Sequence, residues 1–248
     1  MSAIKCLAAL FCSIWIVSSA SAADPRPVTI ATLDFPPYVS NRLPNKGWAW
    51  EVARTVLHQQ GYEPTLLIMP WVRALKFAEE GEVDALFMAN KTPEREKWAV
   101  FSDPIGEEVS VAFKLRERYF GIRSLSDLAP YTIAALRGAN ALDVLTRGGI
   151  EVIPVSEMLN GFQMVLQGRA DMFVTDRFAG RVFLRQHFTE DLVDRINIEE
   201  HLIDVNRLHL AIARKVPDHM EILAAFNSGL SQARQNGLYD RIQKSHGF

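Results

Sequence analysis

The segment Asn90-Lys91-Thr92-Pro93-Glu94-Arg95, followed by Phe101-Ser102-Asp103-Pro104, carries the residues best suited to chemistry. Thr92 can cap a helix, and Pro93 suits the first helical position, where its missing N–H is not needed. Arg95 then falls in the first turn, among unpaired backbone N–H groups. A guanidinium fork backed by the positive end of a helix is a site for an anion, and for a carboxylate in particular. The same residues also suit an ordinary capped helix with a surface arginine. The motif alone leaves both readings open. Asp176, after the apolar run 172–175, is likewise either a helix cap or an acid held for a ligand.

These residues need elements to hold them. Residues 28–33 read as a buried strand that ends at Asp34-Phe35-Pro36-Pro37, where two prolines force a turn. Trp50, Ala53, Val56 and Leu57 recur at helical spacing until Gly61. Residues 64–69 form a second strand, and Trp71, Ala74, Leu75 and Ala78 a second helix face ending near Gly81. The apolar strand 83–88 leads into the arginine motif. Strands that alternate with helices predict a parallel sheet. The pattern restarts at strand 132–136, with Gly138 opening a turn into a helix through Leu145. Strand 152–155 follows, then a helix capped by Ser156 and running to Gly168. Strand 172–175 and Asp176 lead into a helix through about His187. Residues 208–213 are a last apolar strand, Pro217 starts a long helix, and a short helix closes near Ile242. Residues 109–115 read as a strand crossing between the two units. The segment after about Arg207 is expected to return to the first.

Several chemistries are excluded. No G-x-G-x-x-G, phosphate loop or G-x-S-x-G elbow occurs. The histidines are scattered, with no H-x-x-x-H pair, and the only cysteines, Cys6 and Cys12, lie near the N-terminus. No zinc site, disulfide, thiol chemistry or cofactor is therefore expected. Acid pairs such as Glu79-Glu80 and Glu107-Glu108 read as solvated faces. The formal net charge of −2 is spread without blocks of one sign, which gives nucleic acid or a membrane surface no electrostatic handle. Lys5, the apolar run 7–17 and Ala20-Ser21-Ala22 make an export signal, with cleavage expected after Ala22.

In order and spacing the motifs resemble those of the bacterial extracellular solute-binding proteins of family 3, the periplasmic binders of polar amino acids. The resemblance rests on Pro36-Pro37-Tyr38, the helix entry at 47–52, Gly81-Glu82-Val83-Asp84, Thr92–Arg95 and Phe101–Pro104. In the second half it rests on Ser124-Leu125-Ser126-Asp127-Leu128, Arg137-Gly138, Gly168-Arg169-Ala170-Asp171 with Asp176, and Asn236-Gly237 with Tyr239. It implies a two-lobed type II periplasmic-binding fold of class α/β, each lobe a mainly parallel sheet flanked by helices, with a ligand trapped between them. The expected organisation is a signal peptide 1–22, first lobe 23–108, second lobe with crossing strands 109–206, and a return segment 207–248. Carried over residue by residue, Arg95 matches the clamp on the ligand carboxylate and Asp176 the acid for its ammonium group. Trp71 matches the floor and Phe35 an aromatic wall. Met88 and Asn90 match positions offering carbonyls or small hydroxyl residues. Gly138, Ala139 and Asn140 match the turn that completes the carboxylate site. A zwitterion needs a cation at one end and an anion at the other, and these come from different lobes. Three residues depart from the family pattern: Ala49 where an acid is usual, and Asn90 and Ala139 where hydroxyl residues are common. The resemblance implies a monomeric periplasmic protein, not an enzyme, that delivers an amino acid or related carboxylate to an inner-membrane ABC permease. The alternatives are an exported dehydratase-like enzyme on the same scaffold, and a ligand-sensing subunit for a membrane receptor.

Overall fold

The computed structural model describes residues 24–248, apart from the side chains of residues 200–202. The expected export signal, 1–22, with Cys6 and Cys12, lies outside the described residues. The chain starts with β1 (Arg26–Thr32), α1 (Trp48–Gln59), β2 (Tyr62–Ile68), α2 (Trp71–Glu80) and β3 (Ala85–Asn90). Both β2 and β3 run parallel to β1, with Ile30 opposite Leu66 on one side and Ala85 on the other. Every residue of β3 is buried, as a strand covered on both faces requires. The single turn α3 (Pro93–Glu96), β4 (Ala99–Phe101) and the long β5 (Gly106–Leu115) follow.

The second unit holds β6 (Ile133–Leu136), α4 (Asn140–Arg147), β7 (Val152–Val155), α5 (Met158–Leu166), β8 (Met172–Asp176), α6 (Arg177–His187) and α7 (Glu190–Asp194). Here β6 is parallel to both β7 and β8. Then β9 (Ile196–Ala213) runs back, and α8 (His219–Gln235) and α9 (Leu238–Ser245) close the chain. The strand order is β2-β1-β3-β9-β5-β8-β6-β7, with β4 added to β9. Two parallel triplets, one per lobe, are thus joined by the antiparallel pair β5 and β9. That pair stays in register from Gly106 opposite Leu208 to Leu115 opposite Ile196, with shifts around Val111.

Several elements differ from the sequence reading. The last strand begins at Ile196, twelve residues before the apolar run, because pairing with β5 holds a stretch that has no apolar period of its own. The cap of α5 is Glu157, and the Ser156 hydroxyl instead bonds Asn160 Oδ1 at 3.2 Å. By contrast, Trp50 lies in the core as its helical spacing predicts, and Trp48 lies there with it. Trp50 meets Phe87 edge-on at 6.1 Å, and Trp48 packs between Tyr38 and Tyr239.

An aromatic cluster centres the second lobe. Phe162 lies 5.3 Å from Phe113, 5.0 Å from Phe173 and 6.0 Å from Phe183, ring centre to ring centre. Gly161 lets α5 approach this cluster, since a Cβ there would sit 2.4 Å from the Phe173 ring. Gly161→Ala is therefore expected to destabilise the fold by about 1–3 kcal/mol through overpacking. Urea unfolding measures this, and an unchanged midpoint would refute the tight approach.

Candidate ligand-binding cleft

The arginine motif folds as its residue types dictate. Thr92 is extended (φ −129°), and its hydroxyl accepts the Arg95 N–H at 3.3 Å, with Pro93 opening the turn. The Arg95 side chain points inward and is 5% exposed. Its Nη1 donates to the Asn90 carbonyl and its Nη2 to the Gly138 carbonyl, each at 2.8 Å. Its guanidinium lies 5.5 Å from the Trp71 ring centre, within cation–π range. Burial pulls the Arg95 pKa down, opposed by Asp143, Glu108 and Glu94. Arginine nevertheless stays charged.

Gly138 sits in the turn between β6 and α4. Its φ of +73° suits glycine, and a Cβ there would meet Leu75 at 2.9 Å. The Gly138 carbonyl also accepts Trp71 Nε1–H at 3.0 Å. One carbonyl of the second lobe thus receives both the arginine fork and the indole of the first.

Beside this junction lie two chambers that share Leu33, Trp71 and Leu136. The outer one has a volume of about 360 Å³ and adds Asp34, Arg42, Met69, Glu157, Phe183 and His187. The inner one is only about 30 Å³ and is lined by Phe35, Met88, Asn90, Glu108, Ala139 and Thr175. That is room for on the order of two water-sized groups. Five of the nine residues expected from the sequence, Phe35, Trp71, Met88, Asn90 and Ala139, therefore face one small space. Arg95 and Gly138 are bonded to each other and border neither chamber. Asn140 turns aside, donating Nδ2–H to Asp204 Oδ2 at 2.9 Å.

Met88 has φ +59°, where the register of β3 against β9 shifts between Phe87 and Ala89. A non-glycine residue held there costs on the order of 1–3 kcal/mol, and such strain clusters at ligand sites.

Asp176 is fully buried and caps α6. Its Oδ1 accepts the Ala179 N–H at 2.7 Å and lies 3.2 Å from the Tyr38 hydroxyl. Its Oδ2 accepts the Val109 N–H at 2.9 Å. Burial pushes the Asp176 carboxyl up, and these hydrogen bonds pull it back. Burial, with the Asp176 charge next to it, pushes the Tyr38 phenol far up, so it remains a donor. Asp176 thus ties α6 to β5 and to the turn after β1.

Sequence reasoning missed Glu108. Its neighbour Glu107 is exposed, but Glu108 is 8% exposed and lines the inner chamber. Its Oε2 accepts Asn90 Nδ2–H at 2.8 Å, and its Oε1 receives no hydrogen bond among the described residues. The available signal was an acid at the head of an apolar crossing strand. Burial raises its pKa to about 7, with Asp176 and Asp204 pushing the same way and Asn90 and Arg95 opposing. Folding therefore favours the protonated acid. Its contribution to stability is full below its ordinary 4.5 and is lost as pH rises through about 7. Denaturant titrations at pH 5 and pH 8 should show that Glu108→Gln removes part of this decline. An identical pH slope in wild type and variant would contradict the assignment.

Among the described residues no helix is long and apolar enough to cross a membrane, and no group of His, Cys, Asp and Glu could hold a metal ion.

Residues 28–247 match the model of the bacterial extracellular solute-binding proteins, family 3. No curated protein matches the chain. Solved structures match closely in fold at low identity. A histidine kinase sensor domain with similarity to periplasmic binding proteins gives a TM-score of 0.80 at 20% identity, over 90% of this chain and 97% of that one. The GluR0 ligand-binding core from Nostoc punctiforme, in complex with L-glutamate, gives 0.74 at 21% identity, over 89% and 99%. The arginine-bound form of truncated ArgBP from T. maritima gives 0.71 at 21% identity, over 83% and 95%. The fold is that of the type II periplasmic-binding proteins. With its match spanning nearly the whole described chain, this protein belongs to the bacterial extracellular solute-binding proteins of family 3, which are binders and not enzymes.

Proposed function

We propose that the protein captures a small carboxylate-bearing solute, an amino acid or close derivative, between its lobes in the periplasm and delivers it to an inner-membrane ABC importer. The observation that carries this reading is the seating of the Gly138 carbonyl in the Arg95 fork. A carbonyl oxygen from the opposite lobe takes the place suited to a ligand carboxylate oxygen, which would bind the fork more strongly because it is charged. The residues proposed to surround the solute are Trp71 as floor, Phe35 as wall, Met88, Asn90 and Ala139 in the inner chamber, and the turn at Gly138 and Asn140 through its backbone groups. The lobes are taken as 23–108 with 207–248, and 109–206. The export signal at 1–22 supports a periplasmic address. The related folds bound to L-glutamate and arginine support an amino-acid ligand. Native mass spectrometry of protein recovered from the periplasm tests the reading. A retained amino acid or small carboxylate is expected. A retained sugar or metal ion would overturn it.

A further inference from the structure

We propose that Glu108, and not Asp176, receives the ammonium group of the ligand, in the inner chamber beside Asn90. This rests on the amino-acid-binding reading above. Asp176 has no exposed surface, and both of its oxygens are engaged by Ala179, Val109 and Tyr38. Three of its roughly four lone-pair directions are taken, and no exposed surface leaves an ammonium group a way in. Glu108 offers the opposite situation. Its Oε2 is fixed by Asn90, while its Oε1 and the Asn90 Oδ1 accept no hydrogen bond among the described residues. Thr175 lines the same space. An ammonium group has three donors and needs such a set of acceptors.

Size agrees with chemistry. The inner chamber, about 30 Å³, holds a group of water size and not a whole amino acid. The outer chamber, about 360 Å³, shares Leu33, Trp71 and Leu136 with it and can take the body of the ligand. The ligand class is therefore a carboxylate that bears a primary ammonium group, inserted ammonium-first. A ligand in which that group is replaced by hydroxyl loses the charge pairing.

Charged and titratable groups face Glu108 from every side: Arg95 after β3, Asp176 at the end of β8, Asp204 on β9 and Tyr38 in the turn after β1. Their balance with burial leaves Glu108 titrating at about 7. A bound ammonium group requires the ionised form. Affinity should therefore rise about tenfold between pH 6 and pH 8, as the protonated fraction is removed.

The test is a thermal-shift screen of the standard L-amino acids, followed by calorimetry of the best binder at pH 6 and pH 8. The 2-hydroxy acid with the same side chain is measured alongside. Wild type is expected to bind the amino acid about tenfold more tightly at pH 8 and to show no such gain for the hydroxy acid. Glu108→Gln keeps an acceptor for Asn90 and is expected to lose at least about tenfold in affinity for the amino acid at pH 8, together with the pH dependence. If wild type binds an amino acid with no pH gain, or Glu108→Gln binds it as wild type does, the inference falls and the proposed function stands. If wild type binds none of the amino acids, the inference falls, and the native mass spectrometry described above decides the proposed function separately.

Discussion

Replacing Arg95 by alanine is expected to weaken amino-acid binding by about 2–5 kcal/mol, the usual cost of truncating one partner of a buried charged pair. The ligand carboxylate would lose its only proposed cation while still being taken out of water. Arg95→Lys is expected to recover only part of this, because a point charge cannot serve the Asn90 carbonyl and two ligand oxygens from one plane. The side chain is also structural. Without it the carbonyls of Asn90 and Gly138 each lose a donor, although Gly138 keeps Trp71 Nε1–H. Calorimetry with the amino acid that most stabilises wild type separates binding from folding, provided the variant melts cooperatively. Unaltered affinity in the alanine variant would remove Arg95 from the site.

Asp176→Ala is expected to cost about 2–4 kcal/mol of stability, the second large effect. A lost N-cap contributes about 1 kcal/mol. Leaving the buried Val109 N–H and Tyr38 hydroxyl without their acceptor contributes about 1–3 kcal/mol more for each group not otherwise satisfied. Tyr38 is partly compensated, since the Glu107 carbonyl lies 3.1 Å from its hydroxyl. Removing a carboxylate that burial penalises returns something as well, which keeps the total below the simple sum. For a protein of this size the loss corresponds to a melting point lower by on the order of 5–15 °C. Differential scanning calorimetry reads it directly, and a shift of a degree or less would show that the cap is dispensable.

The sequence carried much of the fold because its punctuation is local. Pro93 behind Thr92, Gly81 after Ala78 and Asp176 before a helical stripe each mark a boundary by their own backbone chemistry. What stayed hidden depends on partners distant in the chain. The strand 196–213 is held by β5 across a stretch with no alternation of its own. The positive φ of Met88 follows from a register shift against β9, which an ordinary methionine does not announce. Glu108 is the sharpest case. As half of an acidic pair it reads as solvated, and only the meeting of β3 with the head of β5 turns it inward onto Asn90. The capped turn that carries Arg95 was legible, but its fork already holding a carbonyl of the other lobe was not, since Gly138 lies 43 positions away.

The way α8 and α9 cover α1 sets the order in which this protein can be made. Val56 lies against Gly229, Trp48 meets Tyr239 at 5.8 Å and Phe248 at 6.2 Å, and Glu51 bonds His246 at 2.7 Å. The apolar face of α1 emerges early in synthesis, yet its cover is the last part of the chain to appear. The first lobe therefore has no finished core until synthesis is nearly complete, whereas the elements from β6 to β8 are neighbours in sequence and can pair as they emerge. If the chain crosses a membrane as an extended thread, as the proposed periplasmic address requires, it gains from such a delay: the closing helices act as the final stitch, made after the journey and not before it.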